Sequence, residues 1–129
     1  MLETLKAIPL VCDIRSDDEH RGWIMSVDGH PARMEIIRGL LSVSLFLDGV
    51  DRVSWSCLYY LTLLLAAHPD IHDYALQLTP EGGWLNRYYP EQLSVDQLSM
   101  EIEKHLALTC YLKNAARNHQ SCCFCEDKL

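Results

Sequence analysis

The chain has 129 residues, enough for one domain with a core that needs no metal or disulfide. Its composition, 49% hydrophobic and 22% charged, excludes disordered, collagen-like and low-complexity classes. Eleven Lys and Arg against 18 Asp and Glu give a net charge of −7, and the cations sit among acids, Arg15 near Asp17, Asp18 and Glu19 and Lys104 near Glu101 and Glu103, which argues against nucleic acid as a ligand.

Residues 1–9 carry one lysine and no apolar stretch of the kind a secretory leader needs. The longest apolar run, 57–67, is broken by Thr62 and reaches about half of the ~20 residues of a membrane span, so none is expected. The six cysteines fall into three isolated ones, Cys12, Cys57 and Cys110, and a tail group, Cys122, Cys123 and Cys125. That distribution is unlike a disulfide framework and points to a reducing compartment.

In chain order, residues 4–8 predict a helical turn stopped by Pro9, and residues 10–15 a short strand. An acidic loop over 16–21 leads into a strand at 23–27 with Trp23, Met25 and Val27 on one face. Asp28-Gly29 is a turn pair, and 32–37 returns to close a hairpin. Residues 41–47 alternate with period two, which places Leu41, Val43, Leu45 and Leu47 inward. From Val53 the run becomes densely apolar and predicts a buried helix, capped by Asp51 or Ser54 and ending before Pro69. A second hairpin follows, 74–79 and 84–89 around the turn Pro80-Glu81-Gly82-Gly83.

The last element is a long helix over 94–117. Ser94 and Gln97 form its capping box, and Leu98, Ile102, Leu106, Thr109, Leu112 and Ala116 form its apolar stripe. Residues 118–129 show no periodicity. The expected organisation is therefore one α+β domain over 1–118 and a flexible Cys-rich tail over 119–129, with short helix, antiparallel meander, helix, β-hairpin and long helix in that order.

No constellation for chemistry stands out. His68, Asp70, His72 and Asp73 crowd two imidazoles and two carboxylates together, but Pro69 keeps the histidines from being neighbours on a regular helix, so a polar connector is the plainer reading than a metal site. The tail ligands His119, Cys122, Cys123 and Cys125 are too closely spaced to close a tetrahedron on one ion. There is no nucleophile elbow and no phosphate loop, and His105 lies on the apolar stripe, where a hydrogen-bonded core histidine is expected. Accordingly no catalytic residue, metal or cofactor is expected. The aromatic residues outnumber what a small core encloses, and Trp84, Tyr88 and Tyr89 on the second hairpin are the candidates to face a partner.

Three stretches carry a resemblance: residues 22–33 (GWIMSVDGHPAR) with Glu35 and Ile36, residues 61–79 (LTLLLAAHPDIHDYALQLT) continuing through Gly82, Gly83, Trp84, Leu85, Asn86, Tyr88 and Tyr89, and residues 101–114 (EIEKHLALTCYLKN). Together they resemble the SpiC family, also called SsaB, of bacterial type III secretion systems encoded on pathogenicity islands. The resemblance spans about residues 5–119, and the cysteine-rich end from Ser121 departs from it.

The resemblance implies a cytoplasmic, non-enzymatic regulator, peripheral at most to the export apparatus at the inner membrane. Its partners would be a SepL/SsaL-type gatekeeper and a small SsaM/CesL-type protein, in a complex that favours translocator export and dissociates to release effectors when ambient pH rises. It also implies an alternative role as a secreted virulence effector that disturbs host vesicle trafficking. The element order further resembles class I type III secretion chaperones, which makes a chaperone a third possibility. Within this frame the hairpin around Trp84, Tyr88 and Tyr89 is the expected docking element. His68 and His72 beside Asp70 and Asp73 are the expected pH switch, since an ordinary histidine titrates near pH 6.5.

Overall fold

The computed structural model of the chain describes residues 1–18, 22–49, 54–68 and 73–126, the last eight of these by their backbone alone. Helix α1 (Leu2–Lys6) starts and ends two residues earlier than expected; Ala7 closes it with a bond to the Glu3 carbonyl, 3.2 Å, and Pro9 cannot extend it. Strand β1 (Val11–Asp17) is interrupted where Asp13 takes φ 56°, which shifts its register against β2 (Gly22–Val27) between Cys12 and Arg15. The turn into β3 (His30–Ile37) has φ 47° at Asp28 and 82° at Gly29, the two positive values of the tight hairpin turn that matches strand twist. Strand β4 (Leu40–Gly49) follows, and Leu41, Val43, Leu45 and Leu47 are all buried as their alternation requires.

Ser54 caps helix α2 (Trp55–Ala66) by accepting a bond from the Cys57 amide at 3.2 Å, while the other expected cap, Asp51, lies outside the described residues. Strands β5 (Ala75–Thr79) and β6 (Gly82–Pro90) form the second hairpin. Helix α3 (Val95–Glu126) opens on the expected capping box: Gln97 N–H donates to Ser94 Oγ at 3.2 Å and Ser94 N–H to Gln97 Oε1 at 3.1 Å. Its backbone stays helical through Glu126 and does not end at 117.

The class is α+β, with one difference of topology from a meander plus a separate hairpin. All six strands belong to one antiparallel sheet in the order β1-β2-β3-β4-β6-β5, joined through β4 and β6, with Leu45 opposite Leu85. The helices lie on one face of it. One core cluster joins Leu5 and Ile8 to Met34, Val43, Leu98 and Ile102, and a second joins Cys57, Leu61 and Leu65 of α2 to Leu47, Leu85 and Leu112. Helix α2 is therefore not buried all round, as its leucine-rich run suggested. Only its Cys57, Leu61 and Leu65 side is buried, while Trp55, Tyr59 and Leu63 face water. No helix among the described residues is long and apolar enough to cross a membrane.

Candidate functional site

Because side chains alternate across a strand, the residues between the core positions point to the opposite face of the sheet, which no helix covers among the described residues. That open face gathers Arg33 of β3, Ser42, Ser44 and Phe46 of β4, and Trp84 and Asn86 of β6. Trp84 is only 4% exposed there, because its neighbours enclose it. Phe46 meets it edge-on with ring centroids 4.9 Å apart, the Arg33 guanidinium lies 4.6 Å from the ring centroid, and the indole N–H donates to Thr79 Oγ1 at 2.9 Å. Arg33 also pairs with Glu81 in the hairpin turn, which ties β3 to the β5–β6 connection.

Next to this cluster, the buried Asn86 Nδ2 donates to Ser42 Oγ at 2.9 Å and to Ser44 Oγ at 2.8 Å. A shallow pocket beside them is lined by Asp17, Trp23, Arg33, Glu35 and Gln77 among others, a mixture of two carboxylates, one guanidinium and hydrogen-bonding groups. No group of three or more His, Cys, Asp or Glu positioned to hold a metal occurs among the described residues.

The helix-bearing face holds a second polar assembly, buried this time. His105, fully buried on α3, has Nε2 2.9 Å from the Leu85 carbonyl and Nδ1 2.9 Å from the Tyr89 hydroxyl. A carbonyl only accepts, so Nε2 carries the proton and Nδ1 accepts from Tyr89. Burial pushes the His105 pKa down to about 4, against the favourable bond that Nε2 donates to the Leu85 carbonyl, and it holds the Tyr89 phenol well above its usual range. Tyr74 stands edge-on to the imidazole, with centroids 5.0 Å apart. Arg87 donates to Glu101 at 3.0 Å and to the Tyr74 hydroxyl at 3.2 Å, with its guanidinium over both tyrosine rings. Its Nε is buried with no hydrogen-bond partner among the described residues.

No protein-family model matches the chain. Over 119 residues, 92% of this chain and 94% of the other, it is 59% identical to a protein of Salmonella typhi named "SpiC homolog". The chain belongs to the SpiC/SsaB family. It is likewise 59% identical over 119 residues to "Salmonella pathogenicity island 2 protein C" of Salmonella typhimurium, in strain LT2 and in strain 14028s, covering 92% of this chain and 90% of each relative. The SpiC relatives are thus pathogenicity-island proteins of nearly the same length.

In this chain of the SpiC/SsaB family the three aromatic residues expected to face a partner separate. Trp84 lies within the open-face cluster, where it lines the pocket, and Tyr89, 1% exposed, lies in the core; Tyr88 between them is 48% exposed on the open face. Alternation along β6 sends Tyr89 to the core face, whereas Trp84 and Tyr88 share the open face and differ because Phe46, Arg33 and Thr79 enclose Trp84. Of the expected switch residues, His68 is exposed at the end of α2, its amide bonded to the Leu65 carbonyl at 3.2 Å. Asp73 is drawn to Arg87, at 3.9 Å. Asp70 and His72 lie outside the described residues, as do the side chains of Cys122, Cys123 and Cys125.

Sequence reasoning missed Arg33, Asn86 and Arg87. The signal for Arg87 was available: it occupies an inward position between Leu85 and Tyr89, where a charge must find partners. The signal for Arg33 was its parity, between the buried Ala32 and Met34.

Proposed function

We propose that this SpiC-family chain is a non-enzymatic regulator of type III secretion that works by stoichiometric docking. In this reading it acts in the bacterial cytoplasm, within a gatekeeper complex with SepL/SsaL-type and SsaM/CesL-type partners, and holds effectors back while translocators are exported, until ambient pH rises. The observation that carries the reading is 59% identity across 92% of the chain to pathogenicity-island proteins of the SpiC family. The open face supports docking over turnover: Trp84 is held by Arg33 and Thr79, Asn86 beside it by Ser42 and Ser44, and Tyr88 stands exposed on the same face.

For the pH response, His105 is the wrong histidine, because with a pKa near 4 it stays neutral from weakly acid to neutral solution. The reading keeps His68 and His72 beside Asp70 and Asp73 as the switch, in which an imidazolium pairs with a carboxylate of this chain or of a partner and that pairing is lost as pH rises.

Pull-down of the gatekeeper by the purified chain, at weakly acid and at neutral pH, tests this. The wild type should retain the gatekeeper in acid and release it at neutral pH. Tyr88→Asp should lose it at both with unchanged circular dichroism, and the double variant His68→Gln, His72→Gln should bind weakly at both. A chain that never co-purifies with the gatekeeper and instead accumulates in culture supernatant in an export-dependent way overturns the regulator reading in favour of a secreted effector.

A further inference from the structure

Cross-strand partners stand side by side on one face of an antiparallel sheet, about 5 Å apart. Asp17, Gly22, Glu35, Ser42 and Tyr88 are successive partners across β1, β2, β3, β4 and β6, so they form one row on the open face. Side-chain size alternates along the row: Asp17, Glu35 and Tyr88 are separated by Gly22 and Ser42, which leaves a gap on each side of Glu35. The gap at Gly22 stays open, because a Cβ there would collide with the Met34 carbonyl oxygen and lie 2.9 Å from Glu35 Cβ. The open-face pocket occupies this ground: Asp17, Gly22, Glu35 and Ser42 line it, and Ser44 and Trp84 continue it. It holds about 110 Å³, room for a single side chain and well short of the ~300–1,000 Å³ of a site for an organic cofactor.

Charge in the pocket is unbalanced at one residue. Arg33, the cation that lines it, is already engaged with Glu81 and lies over the Trp84 ring. Glu35, half-buried two positions along the same strand face, makes no ion pair or hydrogen bond among the described residues. Asp17, beyond Gly22, adds a second carboxylate to the rim. The hydroxyls beside Glu35 are held in place: Ser42, 5% exposed, and Ser44 each accept from Asn86 Nδ2, at 2.9 Å and 2.8 Å, and each oxygen keeps a second lone pair. A half-buried carboxylate without a counter-ion, next to fixed acceptors, calls for a cation with several N–H donors.

We propose that this pocket is the seat of an arginine side chain supplied by a partner polypeptide. The guanidinium pairs with the Glu35 carboxylate, its remaining N–H groups reach the serine hydroxyls, and its flat side lies against Tyr88, 48% exposed at the next position of the row. Lysine fits less well, since a compact ammonium neither forks onto a carboxylate nor stacks on a ring as a guanidinium does. An acidic segment is opposed both by Glu35 and by the net charge of −7, which instead draws a basic partner toward the chain. The proposal rests on the docking reading above and supplies the chemistry of its contact: Glu35 is the charge of the seat and Tyr88 its flat wall.

Titration of the isotope-labelled full chain with N-acetyl-arginine amide, followed by amide shifts in heteronuclear NMR, is the test. Saturable shifts should gather at Gly22, Glu35 and Ser42, with the roughly millimolar dissociation constant of a single side chain. N-acetyl-citrulline amide, of the same shape without the charge, should not saturate. Glu35→Gln should weaken arginine binding about tenfold or more with the rest of the spectrum unchanged. Glu103→Gln, an equal loss of charge at an exposed position of α3, should bind as the wild type does. Shifts that fail to saturate, that spread over the acidic surface or that persist in Glu35→Gln overturn the proposal. A chain that takes arginine at Glu35 and never retains the gatekeeper upholds the pocket and overturns only that choice of partner; a chain that retains the gatekeeper equally well as Glu35→Gln and takes no arginine overturns the pocket alone.

Discussion

Tyr89 of β6 donates its hydroxyl hydrogen bond to Nδ1 of His105 on α3 across 2.9 Å, inside the core where strand and helix meet. Since the other imidazole nitrogen donates to the Leu85 carbonyl, the neutral ring is fully satisfied, while protonating Nδ1 would turn the Tyr89 hydroxyl from donor to acceptor and place a charge where burial opposes it. The pair therefore fixes the helix to the sheet in one protonation state.

The first consequence is a stability that depends on acidity. The folded pKa near 4 lies below the ordinary value of 6.5, so on acidification the unfolded chain takes up the proton first. Stability from this group is fully present above about pH 6.5 and is lost as pH falls toward 4, by about 3 kcal/mol in all. Urea denaturation between pH 7 and pH 4 should show this slope in the wild type and a shallower one in His105→Gln; parallel profiles would refute it.

Removing the donor isolates the hydrogen bond itself. Tyr89→Phe keeps the ring and leaves buried Nδ1 without its donor, which should cost about 1–3 kcal/mol at neutral pH. A thermal melt reads this directly, and a melting temperature equal to that of the wild type would show that the bond contributes nothing.

The turn of the second hairpin depends on one glycine. Gly82 has φ 149°, and a Cβ added there would collide with the Asp48 carbonyl oxygen and lie 2.9 Å from Gly49 Cα, where β4 and β6 pair. Gly82→Ala should destabilise the chain by about 2 kcal/mol or more through backbone strain, whereas an alanine at Gly29 meets no neighbouring atom and suffers only from its positive φ. Comparing the two variants by chemical denaturation checks the order.

The two sides of α2 should respond unequally. Leu61→Ala opens a cavity in a fully buried site and should cost about 2–5 kcal/mol, while Leu63→Ala, two residues on and exposed, should change the stability of the single chain by about 0.5 kcal/mol or less. Equal losses, measured in urea at low protein concentration, would contradict the orientation of the helix.

On the open face, Arg33→Ala removes both the cation over Trp84 and the ion pair with Glu81. The arginine is about one-third exposed and Glu81 more so, hence the loss should be modest, about 0.5–1 kcal/mol. The sharper readout is access: acrylamide quenching of tryptophan emission should increase as Trp84 gains contact with water.

Local patterns in the amino-acid sequence determined the elements themselves. Alternation placed Leu41, Val43, Leu45 and Leu47 inward, the Asp28-Gly29 pair made the first hairpin, Ser94 and Gln97 capped the last helix, and His105 on an apolar stripe had to be a satisfied core histidine. Each depends on residues a few positions apart, so the sequence alone could show it. Tertiary structure alone decided that β4 pairs with β6 and unites six strands, because backbone hydrogen bonds carry no mark of their distant partner. That one pairing set Trp84 beneath Arg33 and Tyr89 against His105, and so buried two aromatic residues that looked ready for a partner. It also left α2 with more apolar surface than its neighbours could cover, since composition tells how much of a helix is apolar and only packing tells which side finds a core.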